Sequence, residues 1–199
     1  MAGTNTSEIR IAGVGRLYVA AADTDVPTAF TEANPATDWS GWTDLGYTSG
    51  DGVTFSKKDK LEPVDVWQAV SPVHFVYSDR DLTLKFSLLQ FNEDTLPFFM
   101  GGGSVSQVGT TGDIYRYDIA DRPYANVRAL GLEFTDLQAG GSAVTYRFGI
   151  PRGQVTAADD IKLARKAPAQ LGITFTAMAT PDGSPLATFV MKDSSYAAS

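Results

Sequence analysis

The stretch that decides the fold is Asp79–Gly103, which reads DRDLTLKFSLLQFNEDTLPFFMGGG. Its first half alternates apolar side chains with polar ones: Leu82, Leu84, Phe86 and Leu88 alternate with Thr83, Lys85 and Ser87. A period of two is the pattern of a strand that buries one face. We therefore predict a central strand whose leucine and phenylalanine row faces the core.

The second half of this stretch predicts a short α-helix at about residues 92–101. Asn92 offers an oxygen to the first amides of the helix, followed by Glu93 and Asp94. Leu96, Phe99 and Met100 then recur at helical spacing. Three glycines follow, and helices often end on glycine because it accepts the left-handed conformation. We expect this helix to cover a β core, with Phe99 against the apolar row of the strand.

The composition indicates one mostly β domain. The chain has 199 residues with 19 glycines and 10 prolines, which indicate many turns, and its 11 phenylalanines and 8 tyrosines favour strands. A polar N-terminal arm (about 1–12) and a frayed C-terminal tail (about 192–199) are predicted to flank the domain. We expect neither a signal peptide nor a membrane span, because no apolar run of sufficient length occurs.

The charge and the reactive residues exclude several functions. With 16 basic and 23 acidic side chains the net charge is −7, which argues against a nonspecific grip on DNA. The absence of cysteine and the single histidine exclude disulfides, thiol catalysis and multi-histidine metal sites. Gly13-Val14-Gly15 lacks the third glycine of a dinucleotide loop, and no serine lies in a nucleophile-elbow context. We therefore predict no enzyme, no cofactor and no metal site.

The remaining elements are predicted from alternation and from turn residues. Expected strands are 14–20, 52–56, 66–70 with 73–77, 114–119, 127–137, 144–150, 171–179 and 186–191. Turns are expected at 78–80, 138–142 and 181–184. Residues 156–167 fit either a helix or a strand, with a slight preference for a helix from their pattern.

Two segments between the strands are predicted to lie at the surface. Residues 21–41 lack periodicity. The longer segment from Leu17 to Asp51 contains acidic residues but no lysine or arginine, and such an acidic run is typical of a solvated face. Trp39, Trp42 and Leu45 are expected to cover an edge of the core. Lys57–Asp65, KKDKLEPVD, mixes both charge signs and should protrude as a long loop or hairpin tip. Such a protrusion is either disordered or a docking element.

Several short segments follow one another in a recognisable order: Trp42–Thr48, Gly52-Val53, Val66–Gln68, Ser71–Val73, Leu88–Asn92 with Thr95-Leu96, Phe148–Arg152, Ile173–Ala177 and Pro181–Pro185. This order resembles the major tail tube proteins of long, flexible-tailed bacteriophages, particularly those that infect actinobacteria. The segments cover roughly Gly13 to Met191. The segments are packing and turn signatures, so their order carries the resemblance.

The resemblance implies a β-sandwich or half-barrel with one short helix and a long protruding loop. It also implies that six copies form a ring whose inner strands join into one barrel. Rings would stack into a tube around the tape-measure protein, bounded by tail terminator and tip proteins, and DNA would later pass through without sticking. The protein would be assembled in the host cytoplasm and reside in the virion tail. The family is usually extended after Pro151, and we adopt that expectation for residues 156–167.

If the chain is a tail tube protein, six residues are the candidate ring-stacking loop: Lys57, Lys58, Asp59, Lys60, Leu61 and Glu62. Two alternatives from other classes remain. One is a ring or tube protein of a contractile tail or secretion machine. The other is a carbohydrate-binding β-sandwich, in which Trp39, Trp42 and Trp67 would form a stacking platform.

Overall fold

The computed structural model describes residues 9–31, 38–110, 112–122, 124–136, 143–193 and 196. The predicted hairpin turn at 138–142 lies outside these residues. So do residues 1–8 of the predicted N-terminal arm and residues 194, 195 and 197–199 of the predicted tail.

The described chain is built mainly from antiparallel strands. In order, the elements are β1 (Val14–Ala21), β2 (Thr43–Asp44), β3 (Thr54–Val64), β4 (His74–Leu88), α1 (Thr95–Phe99), β5 (Val105–Gln107), β6 (Tyr115–Tyr117), β7 (Arg128–Asp136), β8 (Val144–Ala158), β9 (Leu171–Ala177) and β10 (Thr188–Lys192). β5 and β6 form a separate hairpin.

The large sheet runs in the order β2-β1-β7-β8-β9-β4-β3, and β10 pairs with β8. β8 pairs with β7 and β10 in its first part and with β9 over residues 153–158. We call β2, β1, β7, the first part of β8 and β10 the first layer. The last part of β8 with β9, β4 and β3 is the second layer. The two layers enclose the core, and the predicted β-sandwich is confirmed.

Gly153 marks the point at which β8 passes from the first layer to the second. A Cβ atom at this residue would lie 2.5 Å from a ring carbon of Phe175 and 2.5 Å from the carbonyl oxygen of Thr176. Such contacts are too short for any side chain. Glycine therefore lets β8 approach β9 closely enough to join the two layers.

The core lies between the layers and under α1. Its buried members are Leu17, Leu45, Leu82, Leu84, Phe86, Leu88, Phe98, Phe99, Leu130, Phe148, Ile150, Leu171, Ile173 and Phe175. The predicted apolar row of the central strand is thus confirmed, since all four of its side chains are buried. Phe55 of β3 meets Phe148 of β8 edge-to-face, with ring centroids 5.2 Å apart, which links the two layers.

The helix is shorter than predicted. α1 spans Thr95–Phe99, and turn residues flank it on both sides. The side-chain oxygen of Asn92 accepts hydrogen bonds from the backbone N–H groups of Asp94 and Thr95, at 3.0 and 2.8 Å. Phe98, which the helical spacing did not select, is buried and stacks on Phe175 of β9. Among the strands, β8 and β9 make the main contacts with the helix.

The structure corrects two local predictions and agrees with a third. Residues 66–70 do not form a strand, because they lie in the connection between β3 and β4. The turn predicted at 78–80 is absent, and β4 runs without a break for 15 residues. The extended conformation adopted for residues 156–167 agrees with the structure, since β8 continues to Ala158 and no helix follows in the described part of the chain.

The outer face of the first layer is covered by a segment that we call the strap, residues 22–31 and 38–42. Val26 and Trp39 of the strap are buried together with Tyr18 of β1. Trp39 stacks on Tyr18 at 4.2 Å and packs over Gly131, where a Cβ would lie only 2.4 Å from the indole. The prediction of a surface excursion is therefore wrong for this segment, which has a buried side of its own.

A single buried arginine fastens the strap to the sheet. Arg147 of β8 is 1% exposed and donates hydrogen bonds to Glu133 (2.7 Å) and Asp38 (2.8 Å). It also donates to the backbone carbonyl oxygens of Pro27, at 3.2 Å, and Ala29. Its guanidinium lies over the ring of Phe30, 4.2 Å from the centroid. One planar side chain thus satisfies two carboxylates and two carbonyls at once.

Asp38 shows that the acidic run is not simply a solvated face, as its pattern predicted. Its side chain is 4% exposed and is paired with Arg147. Hydrogen bonds from Thr31 and from the Arg147 guanidinium lower the pKa of Asp38 to about 2. Because the folded pKa is depressed, this carboxylate stabilises the fold above its unfolded pKa of about 4, and the contribution is lost as the pH falls toward 2.

The core assignment predicts a contrast between two variants. Phe99→Ala should lower the free energy of unfolding by about 3–5 kcal/mol, because it removes a buried ring and leaves a cavity. Lys85→Ala should change it very little, since this side chain lies on the outer face of β4 and is 58% exposed. Denaturant melts of the two variants measure both values. Equal losses would mean that the faces of β4 are assigned the wrong way round.

The strap predicts a second contrast, between two arginines of β8. Arg147→Met should lower the free energy of unfolding by about 3–5 kcal/mol, because Glu133 and Asp38 would stay buried without their cation. Arg152→Met is the matched control. Its pair with Asp23 is partly exposed, with side chains 25% and 48% accessible, so about 0–1 kcal/mol is expected. Similar small losses for both variants would contradict the fastening role of Arg147.

Candidate assembly surfaces

The most prominent surface feature is a hairpin that leaves the body of the protein. β3 and β4 separate from the core at the Lys57–Leu82 pair, and none of residues 57–81 is buried. We call residues 57–81 the hairpin projection. About eight residues on each strand lie beyond the core, which corresponds to roughly 25 Å at 3.3 Å per residue.

The six residues of the predicted ring-stacking loop all lie on β3 of this projection. They form a paired strand, so the prediction of a long loop is wrong for 57–64, whereas protrusion as part of a hairpin agrees with the structure. Asp59 accepts ion pairs from Lys57 and Arg80, both at 2.7 Å. Lys57 and then Arg80 lower the pKa of Asp59. Lys60 pairs with Glu62 at 2.9 Å, so much of this charge is already satisfied within the chain.

The projection also carries a large exposed apolar surface. A bulge at Ser78 shifts the pairing, so that Leu61 lies opposite Tyr77 and Pro63 opposite Phe75. Cross-strand partners share a face, and these four side chains therefore form one apolar face. At the tip, Trp67 is 99% exposed and Val70 is fully exposed. Exposed apolar patches of this kind mark interaction surfaces in soluble proteins.

Sequence reasoning missed this apolar surface because it predicted the same residues only as strands that continue the sheet. Residues 66–70 and 73–77 carry alternating apolar side chains, which predicts a face that will be buried. The pattern does not reveal whether that face is buried within the chain or against another molecule. The signal that could have distinguished these two possibilities is the charged run at Lys57–Asp65, which forms the other strand of the same hairpin.

A second candidate surface is an unpaired sheet edge. In the part of the chain that the structure describes, β3 is the terminal strand and pairs with β4 alone. At the other end of the second layer, β7 stops pairing with β8 at Gly153, so residues 154–158 of β8 have one free edge among the described residues. The second layer thus presents two open edges, which in an isolated protein favour aggregation.

The outer face of the second layer is rich in hydroxyl groups. The register places six hydroxyl side chains of three adjacent strands on this face, and Thr156 of β8 joins them through its contact with Thr176; the seven are Thr54, Ser56, Thr83, Ser87, Thr156, Thr174 and Thr176. Thr156 and Thr176 are hydrogen-bonded to each other through their hydroxyl oxygens, at 2.7 Å. We call this surface the hydroxyl face.

The two lysines of the hydroxyl face have acidic neighbours. Lys58 lies directly opposite Asp81 in the β3–β4 register. The Nζ atom of Lys85 lies 3.5 Å from a carboxylate oxygen of Asp159, which follows the end of β8. Asp159 also borders an open bay of about 740 Å³ at the edge of this face, together with Ser87, Asp160 and Lys162. The strand face is therefore close to charge-neutral.

The structure offers little for the alternative of a carbohydrate-binding platform. Trp39 and Trp42 meet edge-to-face at 5.2 Å, but Trp39 is 2% exposed under the strap. Trp67 lies at the tip of the hairpin projection. The three tryptophans therefore do not form a common stacking surface, and that interpretation is wrong.

The described residues contain no group of three or more histidine, aspartate or glutamate side chains able to hold a metal ion. None of the helices in the described part of the chain has the length and apolar character needed to cross a lipid bilayer.

Comparison with known families gives a match over almost the whole chain. The model of the family described as phage tail tube protein matches residues 2–199. The chain therefore belongs to the phage tail tube protein family, which confirms the resemblance to tail tube proteins found in the sequence. It is a structural protein of the phage tail and not an enzyme. A search of curated proteins found no match.

Proposed function

We propose that six copies of this chain form a ring, and that rings stack into the tail tube of a long, flexible-tailed phage, through which DNA passes. The observation that carries this proposal is the β3–β4 hairpin. Its outer edge is unpaired along β3 among the described residues, and its projection exposes an apolar face and tip. One element thus supplies both a lateral surface for ring closure and an axial surface for stacking.

The direction of the strands in the second layer supports ring closure. β3, β4, β9 and β8 are all antiparallel to their neighbours, so β3 and β8 at the two ends run in opposite directions. Rotation about a tube axis preserves the direction of each strand along that axis. The β3 of one subunit is therefore oriented to pair antiparallel with residues 154–158 of β8 in the next. Such pairing removes both open edges of the isolated subunit.

The same arrangement sets which face lines the lumen. If the second layers join into a barrel, their apolar faces stay against the first layer and the hydroxyl face points inward. Hydroxyl groups and compensated lysines give a polyanion few cations to hold. Since affinity for DNA rises with the number of phosphate contacts, this surface lets DNA slide.

Stacking would use the hairpin projection. Residues 57–62 pair largely with one another or with β4, and exposed ion pairs contribute only about 0–1 kcal/mol each. The apolar face with Leu61 and Phe75, and the tip with Trp67, are better sources of binding energy, because aromatic anchors dominate protein interfaces. The charged residues would then fix the register of the contact between rings.

Several partners and one alternative follow from the family. Assembly in the host cytoplasm around a tape-measure protein, closed by terminator and tip proteins, completes the proposal. In the alternative, a tube of a contractile tail or secretion machine, the subunits would use the same contacts within and between rings. A sheath gene beside the gene for this chain would favour that alternative.

A shortened projection tests the stacking role. Replacing residues 61–78 by Asn-Gly joins Lys60 to its register partner Asp79 through a two-residue turn. The core is untouched, so the subunit should stay folded in circular dichroism and thermal melts. It should form no tubes in negative-stain images under conditions where the full chain does. Tubes of normal length from this variant would refute the stacking role.

A point variant separates the tip from the rest of the projection. Trp67→Ser should reduce the yield of tubes at least as strongly as any other tip substitution, because its ring is the largest exposed apolar group there. Ile119→Ser is the matched control, since Ile119 is an exposed apolar residue, 74% accessible, outside the hairpin. Equal effects of the two substitutions would argue against a specific role of the tip.

Cysteine cross-linking tests the lateral contact, and the chain has no native cysteine to interfere. Thr156→Cys is combined in turn with Thr54→Cys, Ser56→Cys and Lys58→Cys, which lie on the same face of β3 at successive registers. At least one pair should bring two Cα atoms within the roughly 4.4–6.8 Å that a disulfide requires. Oxidised tubes should then give a ladder of covalent oligomers that ends at the ring size.

Two controls make this cross-linking decisive. Each single-cysteine variant should give no ladder. The pair Thr43→Cys with Lys192→Cys places thiols on the edge strands of the first layer instead. A ladder from that pair, with none from the three β3 pairs, would contradict ring closure through the second layer.

A further inference from the structure

We propose that Asp159 screens Lys85 from passing DNA, and that this pairing is a specific requirement for DNA release through the tube. The inference rests on the proposed function, because it assumes that the hydroxyl face lines the lumen. It concerns a residue outside the strands of that face, at the start of the loop after β8.

The position of Lys85 makes it the exposed cation nearest the middle of the hydroxyl face. It lies on β4 opposite Thr54 of β3 and Thr174 of β9, so hydroxyl side chains flank it on both sides. Its side chain is 58% exposed. Neither neighbouring strand offers a carboxylate at this level. Without another partner, the ammonium group of Lys85 would be free to meet a phosphate in the lumen.

Asp159 supplies that partner from a fixed position. Its backbone N–H donates to the carbonyl oxygen of Gly172 at 2.9 Å, which anchors the residue beside β9. Gly172 leaves the space for it, because a Cβ there would lie 2.6 Å from a carboxylate oxygen of Asp159. The carboxylate thus lies 3.5 Å from the Nζ atom of Lys85. The local backbone holds the acid in place, so the conformational freedom lost when the pair forms is mainly that of the Lys85 side chain.

The physical consequence is multiplied by symmetry. The pair is exposed and contributes little to stability. A lysine repeated in every subunit of every ring, however, lines the whole length of the tube. DNA moving through it would meet a new set of cations at each ring, and every phosphate contact slows sliding and adds salt dependence. A weak pair in one subunit is therefore a strong constraint in the assembled tube.

The test is DNA release from virions that carry Asp159→Asn in this chain, followed with a DNA-binding dye at about 50 and about 200 mM salt. The substitution removes the charge and keeps the backbone bond to Gly172. Release should be slower than wild type. Higher salt should reduce this difference in release rate between variant and wild type. Between about 50 and about 200 mM salt, the reduction should be about three- to fourfold for each additional phosphate that the lumen binds. The double variant Lys85→Gln with Asp159→Asn should restore the wild-type rate at both.

Asp118→Asn is the matched control, because it unmasks Arg116 in an exposed pair of 3.0 Å at the β5–β6 hairpin, which is not part of the large sheet. It should leave the release rate unchanged. Wild-type release from Asp159→Asn virions with normal tails would overturn the inference, as would a double variant as slow as the single. Virions whose tails lack this chain would instead refute the proposed function.

Discussion

Backbone hydrogen bonding along the outer edge of β3 is the constraint on which this structure depends. A strand of 11 residues with one free edge leaves a row of N–H and C=O groups that only water or another strand can satisfy. The charged side chains of β3 and its single proline, Pro63, limit uncontrolled pairing of this edge, but most of its backbone groups stay available to a strand that fits it. In a tube subunit the same exposure is useful, since a neighbouring copy can pair with the edge.

The outer face of the first layer is covered, whereas the hydroxyl face of the second layer has no such cover among the described residues. β2 covers part of the β1 edge, and the strap covers the outer face. Arg147 holds this cover by joining Asp38 and Glu133 under the aromatic rings of the strap. This contrast between a covered outer face and an uncovered one gives the subunit two distinct sides. The proposed tube places the strap outward and the hydroxyl face around the lumen.

The sequence predicted those parts of the fold in which neighbouring residues form a pattern and the apolar residues of that pattern are buried within the same chain. The row from Leu82 to Leu88 was visible because its period of two reflects one buried face. Asn92 and the following glycines bounded the helix for local reasons as well. The extended path after Pro151 came from the family resemblance, since its residues fit a helix and a strand almost equally.

The parts that the sequence could not predict depend on distant or intermolecular contacts. Asp38 and Arg147 are separated by 109 positions, so nothing near Asp38 indicates that it is buried. The alternation around Phe75 predicted a buried face, but nothing in the described part of this chain covers that side chain, which is 54% exposed. The hydroxyl face emerges only when the register aligns β3, β4, β9 and β8, because each strand alone contributes at most a few serine or threonine residues.

The most direct test of ring closure through the second layer is a cryo-electron microscopy reconstruction of tubes formed by the purified chain. We predict a six-subunit ring in which β3 of each subunit pairs antiparallel with residues 154–158 of the next, with Thr83 and Thr176 facing the lumen. A ring joined through β2 and β10, or a lumen lined by the strap with Trp39 and Arg147 behind it, would contradict this arrangement.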